Sequence, residues 1–323
     1  MNFSKQTSQF DTCLNDHGRM PEWKTAYLTT PVTASMISLS VVNLLVSPCT
    51  IFLNALVMIA VKTSARMKSN YHILLASLAF TDLMTGALAQ PLVVAVLLYR
   101  LNGDLLDSYQ WNNCLLEYIA EIAGVTFVIA SMQHLALLSV ERFVAITYPY
   151  QYPEIITKRR LISSAIFAWS FAALTAGLSV NSFFTFIYRG FLMVASISIL
   201  VFSQIAVYRE ARAQMRKIKS QQVSKEAREV FLKEKKAMNT TTIIIGVVLF
   251  SFLPMMLLRS SFISLLSSPV TKLVKEYACR SLMLCNSACN PLIYCTRNRE
   301  FRKAFKRLLR RRSQIGPTWK DGG

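Results

Sequence analysis

Long apolar stretches without charged residues recur along the chain and alternate with short polar or basic connections. A helix of about 20 predominantly apolar residues spans a bilayer. The longest stretch, 161–208, carries one charged residue and is long enough for two spans joined by a turn near 179–184. The pattern therefore predicts seven spans. The other apolar stretches are 35–61, 71–99, 122–140, 237–258 and 281–296. The last is only 16 residues long, but its helix can extend outward through Tyr277 and Arg280.

The pattern changes after the last span. Phe301, Phe305, Leu308 and Leu309 share one face of a predicted helix, and basic residues occupy the opposite face. Such a helix lies in the membrane interface and is attracted to anionic lipid. We therefore predict an all-α membrane protein, a seven-transmembrane helix bundle with a C-terminal amphipathic eighth helix. The expected organisation is an extracellular tail at 1–34, the bundle at 35–296, the eighth helix at 297–310 and a short cytoplasmic tail at 311–323.

The distribution of charged residues predicts how the chain is oriented in the membrane. The 323 residues include 36 Lys and Arg against 17 Asp and Glu, for a net charge of +19. Most of these bases fall in the loops on one side of the seven spans, and the positive-inside rule places that side in the cytoplasm. We expect a multi-pass plasma-membrane protein with its N-terminus outside, its C-terminus inside and a candidate glycosylation site at Asn2. The basic excess indicates topology and anionic lipid rather than nucleic-acid binding.

Asp82 lies near the centre of the predicted second span, and no basic residue inside the bilayer is available to pair with it. A carboxylate at that depth needs hydrogen-bond donors, a cation or a proton. Two interpretations stay open: a small hydrated ion site, or a protonated Asp in a structural polar network. The candidate partners are Ser131, Asn286, Ser287 and Asn290.

Five short motifs occur along the spans, each on the expected helix and near the expected membrane face. They are Asn54, the sequence LAFTD at 78–82, Glu141-Arg142-Phe143, Trp169 and the sequence NPLIY at 290–294. Together these motifs resemble those of rhodopsin-like (class A) G-protein-coupled receptors, over about residues 35–310. The resemblance implies a receptor that binds an extracellular ligand, a peptide or a small molecule, and activates heterotrimeric G proteins.

The resemblance also implies a cytoplasmic switch. Arg142 would pair with Glu234 in the inactive state, and outward movement of the sixth helix about Pro254 would break that pair and open a cleft for the G protein. Tyr294 would swing inward to support the open state. The residues implied in the switch are Glu141, Arg142, Phe143, Glu234, Phe252, Pro254, Asn290, Pro291 and Tyr294.

A third implication concerns the polar residues of the membrane centre. They match a sodium pocket of the same family, in which the ion favours the inactive state. No other cofactor is expected. The implied ion-binding residues are Asp82, Ser131, Asn286, Ser287 and Asn290.

Several positions depart from the family pattern. Phe252 stands in place of the usual sixth-helix Trp, Gln204 in place of a fifth-helix Tyr, and Ser196 in place of a Pro. These changes leave a non-signalling receptor homologue open as an alternative. Leu284 stands where an opsin has its retinal-linking Lys, and Gly124 where aminergic receptors have an Asp. A photoreceptor and a simple biogenic amine ligand are therefore disfavoured.

The predicted outer face holds three cysteines, Cys13, Cys114 and Cys279, any pair of which could form a disulfide in the oxidising exterior. The usual disulfide of the family has no second-loop cysteine here, and the second outer loop is very short. These features resemble the melanocortin, adenosine, cannabinoid and lysophospholipid receptors.

Acidic and basic residues meet at the predicted outer end of the bundle. Glu117 and Glu121 are four residues apart and share one helix face, and Arg189, Arg259 and Arg280 lie at the outer ends of later spans. We hypothesise a charged cavity for a peptide or a zwitterionic small molecule. The alternative is that these residues pair with one another or face water. The two glutamates also match a calcium-binding pair of melanocortin receptors, which makes them candidate metal ligands.

Other classes of protein fit less well. A transporter or channel is the main alternative, but the odd number of spans and the absence of a detectable internal repeat disfavour it. An enzyme would need a nucleophile with a base, or clustered metal ligands, and the three histidines are scattered. The C-terminal tail offers only Ser313 and Thr318 for phosphorylation. We therefore expect weak or absent tail-dependent arrestin recruitment.

Overall fold

The computed structural model describes residues 30–101, 110–178, 182–220, 225–258 and 269–313. Within those ranges the regular elements are helices and none is a strand. We number the long helices α1 (Thr30–Thr63), α2 (Asn70–Leu101), α3 (Gln110–Thr147), α4 (Lys158–Leu178), α5 (Ser182–Ser220), α6 (Lys225–Leu258), α7 (Pro269–Cys285, Asn286–Ala288 and Cys289–Arg297 in succession) and α8 (Arg299–Ser313). Short helical turns at Ala65–Met67 and Tyr152–Ile155 occupy the connections after α1 and α3.

Five helical stretches in the described parts of the chain are long and apolar enough to cross a membrane. They lie in the first five predicted spans and are Thr30–Thr63, Asn70–Leu101, Leu115–Thr147, Lys158–Gly177 and Val194–Ile218. Their outward surfaces carry large apolar side chains. Phe202 and Phe250, for example, are 72% and 75% exposed. An apolar exterior of this kind is suited to lipid, in which backbone groups must be satisfied within helices.

The helices extend further than the uncharged stretches predict. α6 begins at Lys225 rather than near 237, and α5 continues to Ser220 rather than ending at 208. The prediction used charge to end each span, whereas a helix continues into water once charged side chains can be solvated. α5 begins at Ser182, inside the segment 179–184 where a turn was predicted, and residues 179–181 lie outside the described residues.

α7 begins at Pro269, further out than the expected extension of the last span through Tyr277 and Arg280. Its outer half contains Glu276 and Arg280. These charged side chains form ion pairs at the outer end of the bundle.

Two helices deviate locally from α geometry. A π turn at Thr85–Ala89 precedes Pro91 in α2, and a 3₁₀ turn at Asn286–Ala288 precedes Pro291 in α7. Proline removes one backbone donor and clashes with the preceding turn, so altered turns beside it are expected. Irregular turns thus lie just before Pro91 and Pro291, whereas α6 runs through Pro254 as one helix.

α1 and α2 approach closely at Gly86. A Cβ atom there would lie 3.0 Å from Cβ of Thr50 and 3.1 Å from Cγ1 of Ile51. The close approach lets Ser47 Oγ donate to the carbonyl oxygen of Gly86 over 2.8 Å. Glycine therefore fixes the distance between the two helices that carry Asn54 and Asp82.

α8 packs its apolar face against the end of α7. Phe301 is fully buried, and its ring centroid lies 5.6 Å from that of Tyr294. Asn298 separates the two helices and caps α8, because its Oδ1 accepts from the backbone N–H of Glu300 over 2.9 Å. The basic side chains of α8 that the structure describes, those of Arg299, Arg302, Lys303, Lys306 and Arg307, are exposed, as the amphipathic pattern predicts.

Candidate functional site

Arg142 lies near the C-terminal end of α3 and is 4% exposed. Its Nε and Nη2 donate to the two carboxylate oxygens of Glu141, and its Nη1 donates to Glu234 of α6. The guanidinium carbon lies 4.4 Å from the ring centroid of Tyr71 on α2. A buried guanidinium needs such partners, because removing an unpaired charge from water is costly. The side chain thereby joins three helices.

Glu141 has a second donor outside the membrane-spanning helices. The hydroxyl of Tyr152, in the short turn after α3, donates to Glu141 Oε1 over 2.5 Å. Burial raises the pKa of Tyr152, and the negative charge of Glu141 raises that pKa further. The phenol is therefore protonated, and able to donate, throughout the physiological pH range. The segment between α3 and α4 also contacts α2, because Asn70 Nδ2 donates to the carbonyl oxygen of Ile156 over 2.6 Å.

Two further switch residues lie behind this cluster. Tyr294 is 1% exposed, and its hydroxyl has no hydrogen-bond partner among the described residues. Phe252 of α6 is also buried, and the neighbouring Ser251 donates to Asn286 Oδ1 of α7 over 3.3 Å. The side chain of Pro254 lies outside the described residues. Phe143 packs elsewhere, at the edge of a small cluster around Ile146.

Asp82 is fully buried at the centre of the bundle. Its Oδ2 accepts from Asn290 Nδ2 over 2.6 Å, and Ser287 also lies beside this carboxyl group. The other oxygen, Oδ1, has no hydrogen-bond partner within the described ranges. Asn54 reaches the same region from α1 and donates to the carbonyl oxygen of Ser287 over 3.1 Å.

Two more buried side-chain oxygens of this region lack a donor among the described residues. Oδ1 of Asn54 and Oδ1 of Asn290 are buried and, like Asp82 Oδ1, accept no hydrogen bond from the described residues. Of the predicted set, Asn286 instead accepts from α6, and Ser131 is half-buried on α3. Several hard oxygen atoms without donors are the kind of environment that suits a small hard cation.

A second charged group lies among α2, α3 and α7 at the end of the bundle opposite to Arg142. Arg280 pairs with Glu121, and Arg100 pairs with Glu117. Tyr277 lies between the two bases, with its ring centroid 5.5 Å from the guanidinium carbon of Arg280 and 5.6 Å from that of Arg100. Both glutamates are thus already paired, which agrees with the alternative weighed in the sequence analysis.

The partner of Glu117 is Arg100, a residue that the sequence pattern did not indicate. Arg100 stands alone after a long apolar run, and nothing in the local pattern indicated which span it would face. Glu276, one turn before Arg280, was missed as well and lies 3.6 Å from that guanidinium. No group of three or more His, Cys, Asp or Glu side chains in the described parts of the chain is placed to bind a metal.

Several predicted residues lie outside what the structure describes. Cys279 is described and lies buried in α7. The positions or side chains outside the described residues are those of Asn2, Cys13, Cys114, Arg189, Arg259 and Thr318. The disulfide, the glycosylation site and the contribution of two arginines to the outer cavity therefore stay predictions.

Comparison with known proteins gives one family and a set of distant relatives. The family profile described as 7 transmembrane receptor (rhodopsin family) matches residues 53–180 and 176–294. The histamine H2 receptor of Cavia porcellus is 25% identical over 301 residues, which cover 86% of this chain and 80% of that receptor. The trace amine-associated receptor 7c of Rattus norvegicus is 25% identical over 287 residues, which cover 79% and 77%. The histamine H2 receptor of Homo sapiens is 24% identical over 304 residues, which cover 86% and 80%.

Proposed function

Because the chain belongs to the rhodopsin family of seven-transmembrane receptors, we propose that it transmits ligand binding to a G protein through the Arg142 cluster. Membership confirms the predicted class: the chain is a multi-pass membrane receptor that binds an extracellular ligand and signals through G proteins, and it is not an enzyme. The transporter and channel alternatives are thereby set aside. The resemblance to the melanocortin, adenosine, cannabinoid and lysophospholipid receptors stays a prediction.

The observation that carries the proposal is the position of Arg142 between Glu141 and Glu234. Glu141 belongs to the same helix and keeps two of the guanidinium nitrogens wherever α6 lies. Glu234 belongs to α6 and holds one nitrogen. Outward movement of α6 therefore breaks one bond and leaves Arg142 paired, which makes the closed state reversible. A receptor needs two states of similar free energy, so that a ligand on one side and a G protein on the other can shift the balance.

The proposal is tested by nucleotide exchange on purified G proteins. The receptor is placed in lipid nanodiscs and assayed without ligand against one Gα subunit of each class. We expect basal exchange on at least one subunit, and loss of that exchange in Arg142→Ala. Equal exchange from the native receptor and from Arg142→Ala on every subunit would overturn the coupling role of the cluster.

We infer the ligand class from the outer ion pairs. A ligand that carries a positive and a negative group can exchange partners with Glu121 and Arg280 without leaving either charge unpaired in a half-buried site. A peptide or a zwitterionic small molecule meets that condition. The relatives above are named for histamine and for trace amines, but Gly124 stands where aminergic receptors carry their Asp. A simple amine is therefore not the ligand that we propose.

A sodium ion is the proposed allosteric ligand of the membrane centre. The unpaired oxygens of Asp82, Asn54 and Asn290 fit such an ion, and Asp82 would supply the charge. Bound there, sodium would neutralise the carboxylate in a medium of low dielectric constant. Asn290, at the start of the sequence NPLIY, links this centre to Tyr294. The residues proposed for the ion are Asp82, Ser131, Asn286, Ser287 and Asn290.

The remaining proposals concern the two membrane faces. The N-terminus lies outside, with a glycan on Asn2, and the C-terminus lies inside. The exposed bases of α8 contact anionic lipid. The plasma membrane is the proposed location, and arrestin recruitment through the tail is weak or absent. A disulfide among Cys13, Cys114 and Cys279 belongs to the extracellular side.

A further inference from the structure

Gln204 of α5 makes side-chain hydrogen bonds to both α3 and α6, and it stands where the sequence analysis noted an unusual substitution. We propose that Gln204 is a positioning residue that holds α6 against α3 in the closed receptor, in addition to the bond between Arg142 and Glu234. The inference rests on the proposed function, since it assigns a further contact to the same movement. It concerns which residues set the equilibrium between the closed and open states.

The first bond fixes the amide to α3. Gln204 Nε2 donates to Ser139 Oγ over 2.8 Å, and Ser139 Oγ donates in turn to the carbonyl oxygen of Leu135 over 3.0 Å. Ser139 is fully buried. Its hydroxyl thus uses its single proton within its own helix and offers a lone pair to Gln204. The amide is therefore anchored on the side of α3.

The second bond reaches α6. Thr242 Oγ1 lies 3.0 Å from Gln204 Oε1 and 3.0 Å from the carbonyl oxygen of Met238 in its own helix. A hydroxyl has one proton and can donate to only one of these acceptors at a time. When α6 moves away, Thr242 can rotate its proton to Met238 and stay satisfied. The contact between α5 and α6 therefore breaks without leaving a stranded donor on α6.

Both hydrogen bonds of Gln204 can form whichever way its amide oxygen and nitrogen are assigned. Both Ser139 and Thr242 carry hydroxyls, which donate or accept as required. Exchanging the oxygen and nitrogen of the Gln204 side chain would reverse each bond without removing it. An apolar residue at this position would remove both. A bifunctional amide is thus well suited to connect two hydroxyls on different helices.

The clamp formed by Ser139, Gln204 and Thr242 lies deeper than the ion pair on the same helices. Ser139 is three residues before Arg142 on α3, which places the two side chains one turn apart on one face. Thr242 is eight residues after Glu234 on α6, about two turns deeper. One outward rotation of α6 therefore separates both contacts. Each of the two contacts stabilises the closed state, and their contributions to its free energy add.

The experiment measures the position of α6 directly and needs neither a ligand nor a G protein. Spin labels are attached at Lys158→Cys on α4 and Arg228→Cys on α6, both exposed positions, in nanodiscs, with the exposed Cys49 replaced by Ser. The distance distribution gives the fraction of open receptor. The variants are Gln204→Leu, which removes both bonds, and Thr242→Val, which removes one bond and keeps the side-chain shape. Thr240→Val is the matched control, because its hydroxyl donates to the backbone of Lys236 in its own helix.

We expect Thr242→Val and Gln204→Leu each to raise the ratio of open to closed receptor about fivefold, the effect of one net hydrogen bond. Thr240→Val should leave the ratio unchanged. The double variant Gln204→Leu with Thr242→Val should not exceed Gln204→Leu, since both changes remove the same contact to α6. A thermal melting curve recorded on each variant separates a shifted equilibrium from a general loss of stability.

An unchanged open fraction in Thr242→Val and Gln204→Leu would overturn the proposal, whether or not their melting temperatures fall. A fall in melting temperature with no change in the open fraction would identify Gln204 as a purely structural residue. Failure of the G-protein proposal has a different signature. In that case the labels would still report a larger open fraction in these variants, while nucleotide exchange would stay absent.

Discussion

Arg142 donates a hydrogen bond to Glu234 across the gap between α3 and α6. This bond is only one of several contacts that the guanidinium group makes. Two of its nitrogens stay with Glu141, and its flat face lies against Tyr71. The residue is therefore satisfied in either position of α6. Glu234 is about a quarter exposed and can be solvated once released. The pair of Arg142 and Glu234 thus favours the closed position of α6 but does not prevent the open one.

Removal of the charge on Glu234 should raise basal activity. Glu234→Gln weakens a bond to a charged group, and partial exposure limits the loss to about 1 kcal/mol, or roughly a fivefold gain in the open fraction. Ligand-independent nucleotide exchange checks this. Glu229→Gln, an exposed change on the same helix, is the control and should match the native receptor. The idea fails if both variants give the native rate.

Tyr152→Phe should lower stability by about 1–2 kcal/mol, because the Glu141 carboxylate loses a donor in a half-buried site. Tyr150→Phe, at a position 93% exposed, is the control and should have no effect. Thermal unfolding of the purified receptor measures both. The raised pKa keeps the phenol protonated, so the difference should be constant between about pH 6 and 9. In the native protein the contribution declines only as the pH rises above the ordinary tyrosine range. A difference that already shrinks near neutral pH would contradict this assignment.

The interaction between Glu121 and Arg280 can be measured with a double-mutant cycle. Glu121→Gln and Arg280→Gln should each destabilise the receptor, and the double variant should recover part of the loss, with a coupling free energy of about 1–3 kcal/mol. Glu276→Gln changes a more exposed carboxylate 3.6 Å from the same guanidinium and should cost little. Denaturation of the four proteins gives the cycle. Strictly additive losses would show that the two charges do not stabilise each other.

Glu117 and Glu121 provide a test of the proposed ligand class. Glu117→Gln combined with Glu121→Gln should reduce the response to an activating peptide or zwitterion at least tenfold in potency. Basal nucleotide exchange should persist, because the cytoplasmic cluster is intact. A screen of peptide and zwitterionic libraries supplies the ligand, and the dose–response curve supplies the measurement. An unchanged potency would exclude the glutamates from the ligand site.

Helix spacing provides a prediction independent of function. Gly86→Ala should destabilise the receptor by about 1–3 kcal/mol, because the added methyl group would press on Thr50. Gly246→Ala on α6 is the matched change, with no atom of the described residues within 4 Å of the new Cβ. It should stabilise the protein by about 0.5–1 kcal/mol through helix propensity. Melting temperatures that move in the same direction for both variants would refute the close approach of α1 and α2.

The sequence pattern predicted the spans because an uncharged run of sufficient length by itself favours a helix in lipid. The pair between Arg142 and Glu234 was implied by the family resemblance and not by the local pattern, since the two residues are 92 positions apart in sequence. The outer ends could not be predicted in this way. The last span was expected to extend outward through Tyr277 and Arg280, whereas α7 begins at Pro269 and also includes Glu276, which lies beside Arg280.

Contacts between helices depend on rotation about each axis, which short-range patterns do not contain. Arg100 was therefore overlooked as the partner of Glu117. Gln204 was noted only as a departure from the family, since its hydroxyl partners lie on two other helices. In both cases the information is in the three-dimensional arrangement, where residues far apart in sequence share one layer of the bundle.

The π turn at Thr85–Ala89 holds one residue more than a regular α turn over the same rotation. One residue fewer in that turn would therefore restore a regular helix and leave the outer half of α2 in its present orientation. The same deletion in a regular stretch of α2 would rotate the outer half by about 100°, with a shift of about 1.5 Å along the axis, and would take Arg100 away from Glu117. The second span can thus change its length by one residue at this turn while the contacts at both of its ends are kept.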